Sequence, residues 1–222
     1  MTRATASAWV VLVPVKRAGI AKSRLTGITP RQRLELARAF PADCVEAALS
    51  APAVRDVVAI TDDEVAARTF AGLGARVIAD EPDAGLNPAL EHAADYVHRH
   101  FDDPPVAVLS GDLPALRHHE VDTALDRARG STRAFLADCA GEGTTLLAAP
   151  SGVVLEPHFG AGSRQRHLSS GAREIDPHGL DSVRRDVDTP ADLQDALLLG
   201  VGRHTRAVLE RHGLGHVTDS LQ

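Results

Sequence analysis

Asp186 and Asp188, in "RRDVDTP" (184–190), stand two residues apart. In an extended segment that spacing turns both carboxylates to one face. Two carboxylates side by side repel unless a cation sits between them. A helix cap by Asp188 or Thr189 would account for one such residue and leave Asp186 without a role. A third carboxylate, Asp112 in "VLSGDLPAL" (108–116), directly follows an apolar run. There Gly111 permits a close backbone approach and Pro114 fixes the turn. Taken alone this is equally an ordinary Asp turn. Together the three make a set for one or two Mg²⁺ ions carrying phosphates.

The positive charge is written almost wholly as arginine. Of the 24 Lys and Arg residues only Lys16 and Lys22 are lysine, and both fall in "KRAGIAKSR" (16–24) with Arg17 and Arg24. Backbone N–H groups and compact ammonium charges in such a loop can wrap phosphates. The loop contains neither a GxxxxGK[ST] nor a GxGxxG pattern. The plain alternative is a solvated basic turn, but a surface turn in an arginine-using chain should have drawn arginines. Lys16 directly follows a buried run and is expected to be the more sensitive of the two lysines.

Two Gly-rich stretches supply a second anion pocket. "DCAGEGTTLL" (138–147) pairs a tight turn with the hydroxyls of Thr144 and Thr145, and "HFGAGSRQRH" (158–167) leads through Gly160, Gly162 and Ser163 into a short predicted helix. Ser163 at a helix start, beside exposed N–H groups, suits an anion.

These residues need a frame. "WVVLVPV" (9–15), "VVAIT" (57–61), "RVIA" (76–79) and "VAVLS" (106–110) are short, continuous apolar runs, as expected of strands buried on both faces. Between them, 29–50, 63–73 and 88–100 carry apolar residues at helical spacing. Thr29-Pro30 with Gln32 reads as a capping box, and Asn87-Pro88 and Thr189-Pro190 repeat the polar-cap-then-Pro start. Pro41 should break or kink the first helix. The alternation predicts an α/β fold: a mostly parallel sheet with helices on both faces, whose ligands bind outside the carboxyl ends of the strands. After residue 130, 132–138 and 144–149 read as strands, Pro190 to about Leu199 as a helix, and about 203–212 as a last helix. No repeat or linker divides residues 1–222, so one domain with a core of about 9–200 is expected.

Composition excludes several function classes. The apolar share is 44% and aromatics only 3%, so the core must be aliphatic. A net charge of −6 with no basic stripe argues against nucleic acid. No apolar run approaches the roughly 18 residues that cross a membrane. Cys44 and Cys139 have no CxxC spacing and read as buried, reduced thiols of a cytoplasmic protein. His98, His100, His118 and His119 read as surface residues.

The ordered motifs "VPVK…AKSRL", "GLNPAL", "SGDLPAL", "GEGTTLL", "FGAGS" and "DVDTP" resemble the 2-phospholactate or phosphoenolpyruvate guanylyltransferase family of coenzyme F420 biosynthesis, over about residues 9 to 200. The resemblance implies a single-domain, Rossmann-like and GT-A-like nucleotidyltransferase fold. It implies transfer of GMP from GTP to the phosphate of phosphoenolpyruvate or 2-phospholactate, with release of pyrophosphate. The product would pass to a downstream transferase of the same pathway. Carried over, Asp112, Asp186 and Asp188 hold Mg²⁺ with the acceptor, and Thr144, Gly160 and Ser163 contact the acceptor's anionic groups. Lys16, Arg17, Lys22 and Arg24 meet the GTP phosphates, and Asn87 is placed near the base and ribose. Ala161 departs from the pattern, which has proline there, and this should loosen the turn. A molybdopterin guanylyltransferase, a sugar-nucleotide synthase and a non-catalytic nucleotide-binding module are the alternative readings. Nothing in the residues separates phosphoenolpyruvate from 2-phospholactate, although a chain so rich in arginine and alanine suggests a GC-rich bacterium and favours the former.

Overall fold

The computed structural model describes residues 8–16, 22, 24–130 and 132–214. Arg17 lies outside the described residues, so its assigned role has no structural counterpart here. The elements run β1 (Trp9–Pro14), α1 (Pro30–Leu49), β2 (Val54–Ile60), α2 (Glu64–Leu73), β3 (Arg76–Ile78), α3 (Leu86–His100), β4 (Val106–Leu109) and α4 (His118–Ala128). They continue with β5 (Ala134–Ala137), β6 (Thr144–Ala149), α5 (Ser163–Ser169), β7 (Arg173–Glu174), α6 (Asp181–Arg184), α7 (Pro190–Leu199) and α8 (Arg203–Arg211).

The strands form one sheet in the order β3-β2-β1-β4-β6-β5-β7. β6 is antiparallel to β4 and β5, and every other pairing is parallel. Successive residues of the central strands serve opposite cores. Trp9, Val11 and Val13 join α1, α2 and α4 on one face, whereas Val10 and Leu12 join α3 on the other. That two-sided burial is why these strands read as continuous apolar runs. A third cluster ties Leu25, Leu36 and Phe40 to Val187, Leu193, Val208 and Leu209, so the segments after β1 and after α6 share one apolar base.

The caps at Thr29 and Thr189 are complete capping boxes, with Gln32 and Asp192 as the reciprocal partners. Three expectations need correction. The Asn87-Pro88 pair does not cap α3: the helix starts two residues earlier, from Gly85 at φ 103°, a conformation that side-chain-bearing residues resist. Pro41 does not end α1, because the buried packing of Leu36, Phe40, Ala42, Val45 and Ala48 outweighs one lost hydrogen bond. Cys44 is buried but Cys139 only half-buried; both are free thiols. The α4 helix had no expectation at all: its sequence, "HHEVDTALDRA", is polar apart from a thin apolar stripe.

The C-terminal helix is held by one buried carboxylate. Asp43, in the middle of α1, accepts the backbone N–H groups of His204 at 2.8 Å and Thr205 at 2.9 Å, and so caps α8 from another helix. Only glycine fits at 202, since a Cβ there would collide with the Asp43 carboxylate. Asp43→Ala removes both bonds and is expected to cost about 1–2 kcal/mol. Denaturant unfolding measures this, and an unchanged midpoint would show that α8 is held by its apolar face alone.

Candidate active site

The strand order reverses between β1 and β4: β1 has β2 on one side and β4 on the other. Their carboxyl ends diverge into the loops that carry Lys16 and Asp112, and ligands are expected at such a switch point. A cleft of about 380 Å³ opens there. Lys16, Lys22, Asp112 and Asp188 line it, with Pro14, Ser110 and Gly111 as floor and Ala37, Phe40, Pro41 and Leu86 as an apolar side. Pro41, inside α1, is thus part of the wall. Gly111 is required by close approach: a Cβ there would lie 3.0 Å from the Pro14 carbonyl oxygen and 3.5 Å from Pro41.

The central contact is ionic. The Lys22 ammonium donates to Asp112 Oδ2 at 2.7 Å and to Asp188 Oδ1 at 2.9 Å. Its side chain is only 10% exposed, so Lys22 itself is not a solvated surface lysine, whereas Lys16 and Arg24 are exposed. Burial works against the charge, but Asp112 and then Asp188 outweigh it and hold the Lys22 pKa above its ordinary value. The residue sits at φ 61°, in the left-handed region. A compact head with three N–H donors can serve two carboxylates converging from different segments. The Ser110 hydroxyl donates to the other oxygen of Asp112 at 2.7 Å, so that carboxylate is held on both sides. The backbone N–H of Val187 donates to the Asp112 carbonyl at 3.0 Å and brings the 186–188 segment alongside.

Asp186 is the outlier. Burial, then the charges of Asp112 and Asp138, push its carboxyl up to about 7, with Asp188 adding to the effect. It therefore faces an excess of negative charge. Hard oxygen donors with uncompensated charge are the donor set that a divalent cation takes. Asp112 and Asp188 meet on the Lys22 ammonium, and a divalent cation would need Lys22 to yield and the Asp186 carboxylate to close in on them. Among the described residues the set whose potential ligand atoms already lie within 4.8 Å of one another is a different one, Asp43, Glu46 and His204. Those carboxylates are engaged, Asp43 with the α8 amides and Glu46 with Arg203.

Thr144 and Ser163 lie on the neighbouring side. The Ser110 N–H donates to the Thr145 carbonyl at 2.8 Å, which places the start of β6 against the end of β4. Thr144 Oγ1 lies 3.0 Å from His167 Nδ1, and Ser163 is buried at the start of α5. The backbone at 158–159 is fixed by three side chains from two helices, α3 and α5. Asn87 takes both polar groups of Phe159, Arg166 donates twice to the His158 carbonyl, and His167 Nε2 accepts the His158 N–H. These bonds restrain residues 158 and 159, ahead of Ala161. They also consume the Asn87 amide, which therefore joins α3 to this loop instead of facing the cleft. Arg24 is exposed and is not among the side chains lining the cleft. Arg184 was not singled out in the sequence. It donates to the carbonyls of Ala137 and Asp138 and shapes the turn that carries Asp138. Its only sequence signal was its place before "RDVD".

The family described as "Guanylyl transferase CofC like" matches residues 9–219. A phosphoenolpyruvate guanylyltransferase from Streptomyces coelicolor is 51% identical over 91% of this chain and 96% of its own length. One from Thermomonospora curvata is 49% identical over 91% and 89%. Among solved structures, a nucleotidyl transferase from Methanothermobacter thermautotroptrophicus superimposes with a TM-score of 0.61 at 20% identity, covering 86% of this chain and 97% of that one. A CMP:2-keto-3-deoxy-manno-octonic acid synthetase complexed with CTP gives 0.52 at 18% identity, covering 87% and 98%. At these identities the structural likeness concerns the fold.

The Asp186 shift has a definite sign. A carboxyl whose folded pKa is raised holds its proton more tightly in the folded chain. Its favourable contribution is present below the unfolded value, near 4, and is lost as pH rises through about 7. In the presence of a chelator, Asp186→Asn should match the wild type at pH 4 and exceed it in stability at pH 8. Thermal unfolding across that range measures the difference. Parallel curves would mean that Asp186 already has a counter-charge.

Proposed function

The chain belongs to the family of CofC-like guanylyl transferases, and from that membership we propose that it transfers GMP from GTP to the phosphate of phosphoenolpyruvate, releasing pyrophosphate. The observation that carries the reading is the convergence of Lys16 and Lys22 with Asp112 and Asp188 in one cleft at the β1–β4 switch point. The relatives near 50% identity support phosphoenolpyruvate over 2-phospholactate as acceptor. The setting is the biosynthesis of coenzyme F420 in the cytoplasm, with the product consumed by a downstream transferase. Two free thiols agree with a reducing compartment. Among the described residues no helix is long and apolar enough to cross a membrane.

An acceptor phosphate oxygen must attack the α-phosphorus of GTP although both are anionic, in a chain that is itself net negative. Local positive charge must offset that repulsion. Mg²⁺ held by Asp112, Asp186 and Asp188 would neutralise phosphate charge and polarise the reacting phosphoryl group. Lys16 and Lys22, which line the cleft, stabilise the pyrophosphate as it leaves, and Arg24, which does not line it, has no assigned part. Thr144, Gly160 and Ser163 hold the acceptor, and the apolar wall of Ala37, Phe40, Pro41 and Leu86 excludes water from one side of the nucleotide. Positioning and electrostatics suffice for such a transfer, and no nucleophilic side chain is required.

Mass spectrometry of the products from GTP, Mg²⁺ and each phospho-acid in turn tests the reading. A guanylylated phosphoenolpyruvate with pyrophosphate is expected, and its absence with both acids would end the proposal. Asp188→Asn should lower kcat about 10²-fold or more and move the Mg²⁺ requirement upward; wild-type turnover would remove the metal assignment. Lys22→Arg keeps the charge and changes its shape. It should cost at least severalfold in kcat/KM for GTP, and more than Lys16→Arg, since Lys22 rather than Lys16 is wedged between carboxylates. Equal activity of the two variants would show that the wedge has no part in turnover.

A further inference from the structure

The reading above gives Thr144 a contact with the acceptor but does not say which way its hydroxyl points. A threonine hydroxyl both donates and accepts. Toward a phosphate or carboxylate, only donation is useful. What decides the direction is His167, fully buried in α5, whose ring nitrogens both have partners.

The chain of bonds has one unambiguous end. The backbone N–H of His158 donates to His167 Nε2 at 3.0 Å. A backbone amide can only donate, so Nε2 carries no proton. A neutral imidazole has one N–H, and it must then be on Nδ1. Nδ1 lies 3.0 Å from Thr144 Oγ1, so the ring donates and the hydroxyl oxygen accepts. The Thr144 proton is thereby left for another acceptor, and among the described residues no protein group takes it. The ring cannot readily turn to exchange its nitrogens. Phe135 and Phe159 pack against it with centroids 5.5 and 5.3 Å away. Burial, then the charges of His158, Arg133 and Arg166, hold its pKa down to about 4, so it stays neutral near pH 7.

We propose that His167 is a positioning residue that turns Thr144 into a dedicated hydrogen-bond donor toward the acceptor's anionic end. The same ring ties that hydroxyl to the His158 peptide, and so to the loop that presents Gly160 and Ser163. One buried side chain thus sets both the polarity and the placement of the acceptor pocket. The inference rests on the proposed role of Thr144.

Two measurements test it. In protein labelled with ¹⁵N-histidine, two-bond ¹H–¹⁵N correlation near pH 7 should show His167 protonated at Nδ1; protonation at Nε2 would overturn the proposal without any variant. In steady-state kinetics His167→Phe keeps an apolar ring but removes the donor. It should raise the KM for phosphoenolpyruvate roughly ten- to hundredfold, as for a lost hydrogen bond to a charged group, and leave the KM for GTP nearly unchanged. His167→Asn retains an N–H near the Nδ1 position and should recover much of the loss. Equal shifts in both KM values, or no recovery by Asn, would mean that the ring only fills space. Thr144→Ala separates the two levels. If it leaves the acceptor KM unchanged, the role of Thr144 fails and this inference with it. If Thr144→Ala raises the acceptor KM while His167→Phe does not, only the inference about His167 is lost.

Discussion

Repulsion among carboxylates is the constraint that organises this molecule. Asp112 leaves the end of β4, Asp186 and Asp188 come from the segment between α6 and α7, and Asp138 stands behind them. At a distance of a few ångströms in a partly buried setting, such charges cost several kcal/mol unless offset. Lys22 offsets two of them directly, and Asp186 is left to carry the residual strain as a raised pKa. On the proposed function, the stacked charge would become favourable when cations and phosphates arrive, at the expense of stability in the empty chain.

Everything around this cluster serves to hold it still. Leu25, Leu36 and Phe40 on one side and Val187 and Leu193 on the other share one apolar base, which brings the lysine segment and the aspartate segment together although they are more than 160 positions apart in sequence. The Val187 amide on the Asp112 carbonyl and the Ser110 hydroxyl on its side chain then set the final geometry. The start of β6, with Thr144, is joined through the Thr145 carbonyl to Ser110 at the end of β4, so both groups of candidate residues hang from β4.

Arginine and lysine divide the work by shape. Arg133, Arg166 and Arg184 spread their planar heads over backbone carbonyls of loops that pass near the site. Fixed forks suit such fixed targets. Lys22 faces two carboxylates that converge from different segments, where a compact head with freely rotating donors is the better fit, and on the proposed function the charge there would also change as substrates bind and leave. That is a physical reason for a chain otherwise built on arginine to keep lysine in this one loop.

Sequence alone determined the strands on which the site hangs, because two-sided burial writes itself as unbroken aliphatic runs at Trp9–Pro14 and Val106–Leu109. It also determined the capping box at Thr29, the polar cap at Thr189 and the chemical types at 112, 186 and 188, since those depend on neighbours a few residues away. Only the tertiary structure decided what each polar group faces. Lys22 could be read as a candidate phosphate ligand but not as the partner of Asp112 and Asp188, and Asn87 was legible as polar but not as the clamp on Phe159. The role of His167 could not be read at all. A histidine's protonated nitrogen depends on which donor sits across from it, and here that donor is a backbone amide, which carries no mark in the sequence. Pro41 shows the same limit for the fold: its local preference is to break a helix, and the apolar contacts that override it come from the sheet and from α8.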